Sequence, residues 1–254
     1  MYTMYKDPPP MTLLSLVPEP GAYVAMAAII FMAAFLQGVG GVGFAMFASP
    51  IAAVFFPQLV PGPLLTLGGF VALMTALRER QHAQWPAVRQ ALSGRVAGSL
   101  VAVWGMATLS ARPIALIFAA LILTAVGLSV MGLRITDNRR NMVAAGVISG
   151  IMGTFTSIGA PPLAIMQQHK APPTLRSTLG LMLFFGSLAS LALLAWAGHY
   201  TGHHLVLSLA LLPFLLLGFA SSNRARGWLG PAAVRRLLLT LCALSAVVLI
   251  IRNV

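Results

Sequence analysis

Acidic residues are nearly missing from this chain. Asp7, Glu19, Glu79 and Asp137 are the only carboxylates among 254 residues, and each falls in a tail or between apolar stretches. Proton and cation carriers keep an ionisable residue at membrane depth, so a dedicated cation channel or metal-ion carrier is disfavoured. Cysteine is as scarce. Cys242 stands alone in an apolar run, which excludes an internal disulfide or a thiolate metal site. With no paired cysteines, and with the histidines in loops, a redox or cofactor-assembly role is excluded too. The chain is therefore read as needing no cofactor and no metal. His199, His203 and His204 are read as exposed loop histidines. Charged residues of both signs amount to 8%, against about 25% in a soluble domain of average usage.

Hydrophobic residues fill the space that charge leaves, at 59% of the chain and a mean hydropathy of +0.91. This predicts an all-α polytopic membrane protein whose main partner is the lipid bilayer, since open strands cannot cross lipid. A net charge of +12 would suggest nucleic acid in a soluble protein. Here the basic residues sit in short loops, a pattern of membrane topology, and no nucleic-acid partner is expected. The first 20 residues carry Lys6, Asp7 and several prolines and read as a short tail, not a signal peptide.

Apolar stretches run at about 22–37, 44–56, 64–77, 96–110 and 113–133, then 142–153, 161–168, 178–198, 205–221 and 237–251. Those at 44–56, 142–153 and 161–168 fall short of the ~20 residues a full span needs and are read as half-helices or steeply packed pieces of hairpins. With five segments in each half, Arg78, Arg80, Arg89, Arg95, Arg134, Arg139, Arg140, Lys170, Arg176, Arg224, Arg226, Arg235 and Arg236 share one side. Only Lys6, Arg112 and Arg252 take the other. Such a split puts the first set in the cytoplasm and both termini outside. An odd number of segments per half makes the second repeat enter the membrane in the opposite sense, giving inverted-topology repeats. The expected organisation is an outer tail at 1–21, a first repeat at 22–133, a cytoplasmic linker at 134–141 and a second repeat at 142–254.

Each half also carries a broken apolar stretch. Gln37-Gly38-Val39-Gly40-Gly41-Val42-Gly43 leads to Ser49-Pro50, and Gly153-Thr154-Phe155-Thr156-Ser157-Ile158-Gly159-Ala160 leads to Pro161-Pro162. Breaks at membrane depth survive only inside protein or beside a cavity, and paired breaks in two halves point to a transporter's binding site. Half-helix N-termini offer unpaired N–H groups and partial positive charge, which suit an anion. The expected substrate-binding residues are Gln37, Gly38, Gly40, Gly41, Gly43, Ser49, Pro50, Thr154, Thr156, Ser157, Gly159, Ala160, Pro161 and Pro162, with Arg176 at the mouth of the pathway. Every Arg and Lys is read as lying in a loop or near a segment end. The anion is thus expected to rest on dipoles and hydroxyls and not on a buried cation.

These blocks resemble the TauE/SafE family of sulfite exporters, also called toluene-sulfonate uptake permeases. The likeness rests on Gln37-Gly38-x-x-Gly41-x-Gly43-Phe44-Ala45 before Pro50, and on Gly153 to Pro162 followed by Gln168-His169 and Pro172-x-x-x-Arg176-Ser177-Thr178. It also rests on Arg78-Glu79-Arg80 running to Trp85. The likeness runs from about 22 to 251. The resemblance implies a multi-pass permease of a bacterial inner (plasma) membrane that moves small sulfur-containing or other organic anions. An intramembrane hydrolase built on Ser157 and His169 lacks the strained Gly-x-Ser-x-Gly turn, and no enzyme activity is expected. A non-transporting membrane receptor or assembly partner that binds an anion is the alternative.

Overall fold

The computed structural model describes residues 19–131, 135–225 and 231–253. Most of the expected tail, with Lys6 and Asp7, and the basic residues Arg134 and Arg226 lie outside the described residues. Within them the chain forms ten α-helices and no strand. The first five are α1 (Pro20–Gly40), α2 (Phe44–Phe55), α3 (Gly62–Arg78), α4 (Trp85–Thr108) and α5 (Ala111–Val130). The second five are α6 (Arg139–Thr156), α7 (Ala160–Gln167), α8 (Pro172–Trp196), α9 (Gly202–Ala225) and α10 (Pro231–Asn253). Four of them are long and apolar enough to cross a membrane: α1, α5, α8 and α9. α2 and α7, at 12 and 8 residues, are the short pieces expected after the two breaks.

Several helices start earlier than the expected stretches, α8 at Pro172 and α10 at Pro231 among them, and two such starts change the reading. α4 begins at Trp85, with Pro86 in its first turn, where a missing N–H is harmless because that donor has no helical acceptor. Arg89 and Arg95 are therefore helical and do not belong to a loop. α6 begins at Arg139, capped by the Asn138 side chain accepting the Asn141 N–H at 2.8 Å, so it reaches 18 residues and is longer than the expected stretch at 142–153.

The helix pairings repeat between the halves. α1 packs along α9 as α6 packs along α4, α2 rests on α10 as α7 rests on α5, and α3 touches α9 as α8 touches α4. α3 packs on α8 and α5 on α10, so exchanging α1–α5 for α6–α10 leaves the set unchanged. Tyr23 donates to the Ala210 carbonyl at 2.7 Å, Phe31 meets Gly218 and Gly38 meets Ser222, so α1 and α9 run the same way. α4 and α6 also run the same way, with Gly94 against Val143, Gly98 against Val147 and Gly105 against Phe155. α3 and α8 run oppositely, since Gly62 meets Tyr200, Gly69 meets Ser187 and Ala76 meets Gly180. α4 and α6 touch backbone to backbone. A Cβ on Gly94, Gly98, Gly146 or Gly150 would fall 2.0–2.3 Å from a carbonyl oxygen of the facing helix, the close approach that small residues allow between membrane helices.

Candidate functional site

Both breaks are left-handed helix caps. α1 ends on Gly41 (φ 80°), whose N–H returns to the Gln37 carbonyl at 2.7 Å, and α6 ends on Ser157 (φ 62°), whose N–H returns to the Gly153 carbonyl at 2.8 Å. A left-handed conformation costs a side-chain-bearing residue roughly 1–2 kcal/mol, so Ser157 is held there by its surroundings. One side chain satisfies the first break: Gln37 Oε1 accepts the Phe44 N–H at 3.0 Å and Nε2 donates to the Gly41 carbonyl at 3.2 Å.

Hydroxyls satisfy the second. Thr156 Oγ1 donates to the Met152 carbonyl and accepts the Ile158 N–H. Ser149 Oγ donates to the Gly159 carbonyl at 2.6 Å and Ser157 Oγ to the Pro61 carbonyl at 3.1 Å. Ser49 on α2 donates to the Thr156 carbonyl, so the two breaks touch. Pro50, inside α2, has no N–H for the Met46 carbonyl one turn earlier. Cys242 Sγ donates to that carbonyl instead, at 3.1 Å, which gives the lone cysteine a structural task.

Between the breaks lies a cavity of about 40 Å³. Gln37, Gly43 and Phe44 line it from the first break, and Ser157, Ile158, Gly159 and Ala160 from the second. α3 contributes Gly68 and Gly69, α8 contributes Ser187, and α4 contributes Arg95. A second cavity of about 390 Å³ adjoins it, sharing Met46 and Ala160 as walls and reaching Gly40, Pro161, Gln168 and Leu175.

Arg95 corrects the sequence reading. The sequence puts it with the loop arginines, yet only 2% of its surface is exposed. Its Nη1 donates to Ser149 Oγ at 3.2 Å, and its Nε has no hydrogen-bond partner. Among the described residues the carboxylates are Glu19, Glu79 and Asp137. Glu79 pairs with Arg176, Asp137 pairs with Lys170 at 2.9 Å, and Glu19 precedes α1. No ion pair joins any of them to Arg95. Room for the guanidinium comes from Gly186 on α8, where a Cβ would lie 1.9 Å from Nε. A buried charge without a partner is costly, so the expectation that no cation is buried does not hold.

The structure gathers some of the expected site residues and not others. Gln37, Gly43, Ser157, Gly159 and Ala160 line the small cavity, while Gly40, Ala160 and Pro161 line the larger one. Gly41 is the cap, with Arg176 against it. Ser49 and Thr156 are buried and serve backbone groups, and Pro50 and Pro162 are buried within α2 and α7. Thr154 bonds Ser99 and Ser190 in a closed triangle of hydroxyls at 2.9–3.0 Å. Gly38 packs on Ser222 of α9. Arg176 is ion-paired with Glu79 through Nε and Nη2. Sequence reasoning missed Arg95, Ser149, Gly186 and Ser187. The available signal was Pro86, a helix-start residue, followed by Ala91, Gly94, Gly98 and Ser99, a small-residue face that also carries Arg95.

The site sits where two broken helices meet inside a bundle of apolar helices, and the chain is a multi-pass membrane protein of the transporter class. It matches the family model Sulfite exporter TauE/SafE over residues 26–249, and it belongs to that family. Neither the curated proteins nor the solved structures gave a match.

Proposed function

We infer that this protein is a permease for a small anion, with sulfite, a sulfonate or a related organic anion as substrate, and that the cavity between the two breaks is the binding site. Buried Arg95, which lines the cavity and has no carboxylate partner among the described residues, carries this reading. The N-terminal ends of α2 and α7 border the same cavity, and their partial positive charge adds to that of the guanidinium. The small cavity suits a compact oxyanion head, and the larger one is the vestibule through which it arrives. Arg176, neutralised by Glu79, clamps the ends of α3 and α8 beside the first break.

We read the two halves as inverted repeats, with the breaks near the bilayer midplane and the plasma membrane as their setting. The antiparallel run of α3 and α8 and the exchangeable pairings support this arrangement. Single cysteines in a Cys242→Ser background, labelled with an impermeant maleimide in intact cells, test it. Labelling at position 201 and none at position 138 is expected, and the reverse pattern refutes it. Flux of radiolabelled sulfite, sulfonates and carboxylates into proteoliposomes tests the function. A non-transporting receptor would bind an anion and move none.

A further inference from the structure

We propose that the protein is an anion exchanger, whose binding site crosses between the two sides of the membrane only when occupied by a singly charged anion. The inference rests on the permease reading above and goes further, to the way the cycle is coupled. It starts from the acceptors available to Arg95. A guanidinium has five N–H donors. Among the described residues one acceptor meets it, Ser149 Oγ. The other polar side chains around the cavity bond elsewhere and none accepts from Arg95: Ser187 Oγ donates to the Leu183 and Phe184 carbonyls, Ser157 Oγ to the Pro61 carbonyl, and Gln37 Oε1 accepts from Phe44. No carboxylate of the described residues offsets the charge.

Alternating access passes through a stage in which the site opens to neither side. At that stage the guanidinium has only the small cavity, whose volume of about 40 Å³ holds about one to three waters. So few waters cannot replace the bulk hydration of a cation, and a desolvated unpaired charge is strongly disfavoured. A bound oxyanion supplies both the opposing charge and several acceptor lone pairs, in the charge-assisted geometry that arginine favours. One negative charge brings the closed site to neutrality, whereas two would leave it again with an unpaired buried charge. The occupied site therefore closes and reorients readily, and the unoccupied one does not.

The test uses the full chain in proteoliposomes with radiolabelled sulfite and methanesulfonate outside. One set of vesicles contains the same anion unlabelled, and the other contains potassium polyglutamate, too large to cross. Equal potassium on both sides with valinomycin holds the membrane potential at zero, so charge build-up limits neither set. Uptake into the anion-loaded vesicles is expected to exceed uptake into the polyglutamate vesicles by at least about tenfold, the factor that 1.4 kcal/mol gives. A smaller ratio, for uptake that Arg95→Gln abolishes, overturns exchange and leaves the permease reading standing. Uptake that Arg95→Gln leaves unchanged, or no uptake in either set, overturns the Arg95 site and exchange with it. Arg95→Leu provides a second readout, because whatever flux it retains is expected to lose its dependence on internal anion.

Discussion

The groove between α4 and α6 and the groove between α1 and α9 are built alike and filled differently. Gly98 lies against the Val147 carbonyl in one, and Gly218 lies against the Phe31 carbonyl in the other. Three residues before these glycines stand Arg95 and Leu215. Leu215 is fully buried in an apolar cluster with Ala33 and Ala34. Arg95 is as deeply buried but faces Ser149 and Gly153. A position that one half uses for packing, the other uses to hold a charge beside a cavity. Repetition supplies the scaffold, and the departure from repetition supplies the chemistry.

Making the α4–α6 groove like the α1–α9 groove is the largest perturbation. Arg95→Leu is expected to lower anion flux by at least about 100-fold, since it removes both the charge and its donors, worth about 1.5–3 kcal/mol for a single charged hydrogen bond. Replacing a buried charge with an apolar side chain is often neutral or stabilising, so the melting temperature in detergent should hold or rise without substrate. Lost flux together with a lower melting temperature would mean that Arg95 is structural and that the comparison with Leu215 is misdrawn. Arg95→Lys should rescue little, because an ammonium lacks the planar fork of donors.

The two breaks invite the same treatment. Gly41 has a left-handed φ of 80°, and a Cβ there would lie 2.7 Å from Arg176 side-chain carbons. Gly159 has an ordinary φ of −99°, but a Cβ would lie 3.0 Å from Ser149 Oγ and 3.2 Å from Arg95 Nη1. Leucine at either position is expected to abolish flux. Alanine separates them. Gly41→Ala should cost roughly 1–2 kcal/mol of stability through its backbone conformation. Gly159→Ala crowds the Ser149 hydroxyl and carbonyl and Arg95 Nη1, so it should weaken anion binding, read by isothermal titration with sulfite, which Gly41→Ala should leave unchanged. If both alanine variants behave alike, the two breaks are not specialised.

How much of this was legible in the sequence follows from the same contrast. The breaks, the ten segments and the family likeness rest on glycine, proline and hydropathy patterns, which are local and survive in one dimension. Ser149 and Arg95 lie 54 positions apart, and each has a plausible local reading, one as a helix serine and the other as a loop arginine. Their meaning comes from the parallel packing of α4 on α6, which no local pattern states. Thr154 and Thr156 were expected to face substrate for the converse reason. Hydroxyls clustered at a break look like ligands, yet in this structure the break's own backbone holds Thr156 and neighbouring serine hydroxyls hold Thr154, pairings set by the packing.

Ser149→Ala is the next step down in size. Its equivalent in the first half is Ala33, eight residues before the cap Gly41, as Ser149 is eight before Ser157. The serine donates to Gly159 and accepts from Arg95, so the alanine variant leaves a carbonyl and a guanidinium N–H without partners at roughly 1–3 kcal/mol each. A several-fold loss of apparent affinity for sulfite and a lower melting temperature are expected. Wild-type affinity would show that Ser149 does not orient Arg95.

The smallest effect belongs to the cap itself. Ser157→Gly gives the second break the cap residue of the first. Glycine relieves the left-handed strain, a gain of roughly 1 kcal/mol, and loses the hydrogen bond to the Pro61 carbonyl, a loss of about 1 kcal/mol. The two should nearly cancel in a denaturation experiment. Ser157→Ala keeps the strain and loses the bond, so it should be less stable than Ser157→Gly by about 1 kcal/mol. Equal stabilities for the two variants would mean that the backbone at 157 relaxes out of the left-handed region once the hydroxyl is gone. The cap of α6 would then be held by its side chain, whereas that of α1 is held by its glycine.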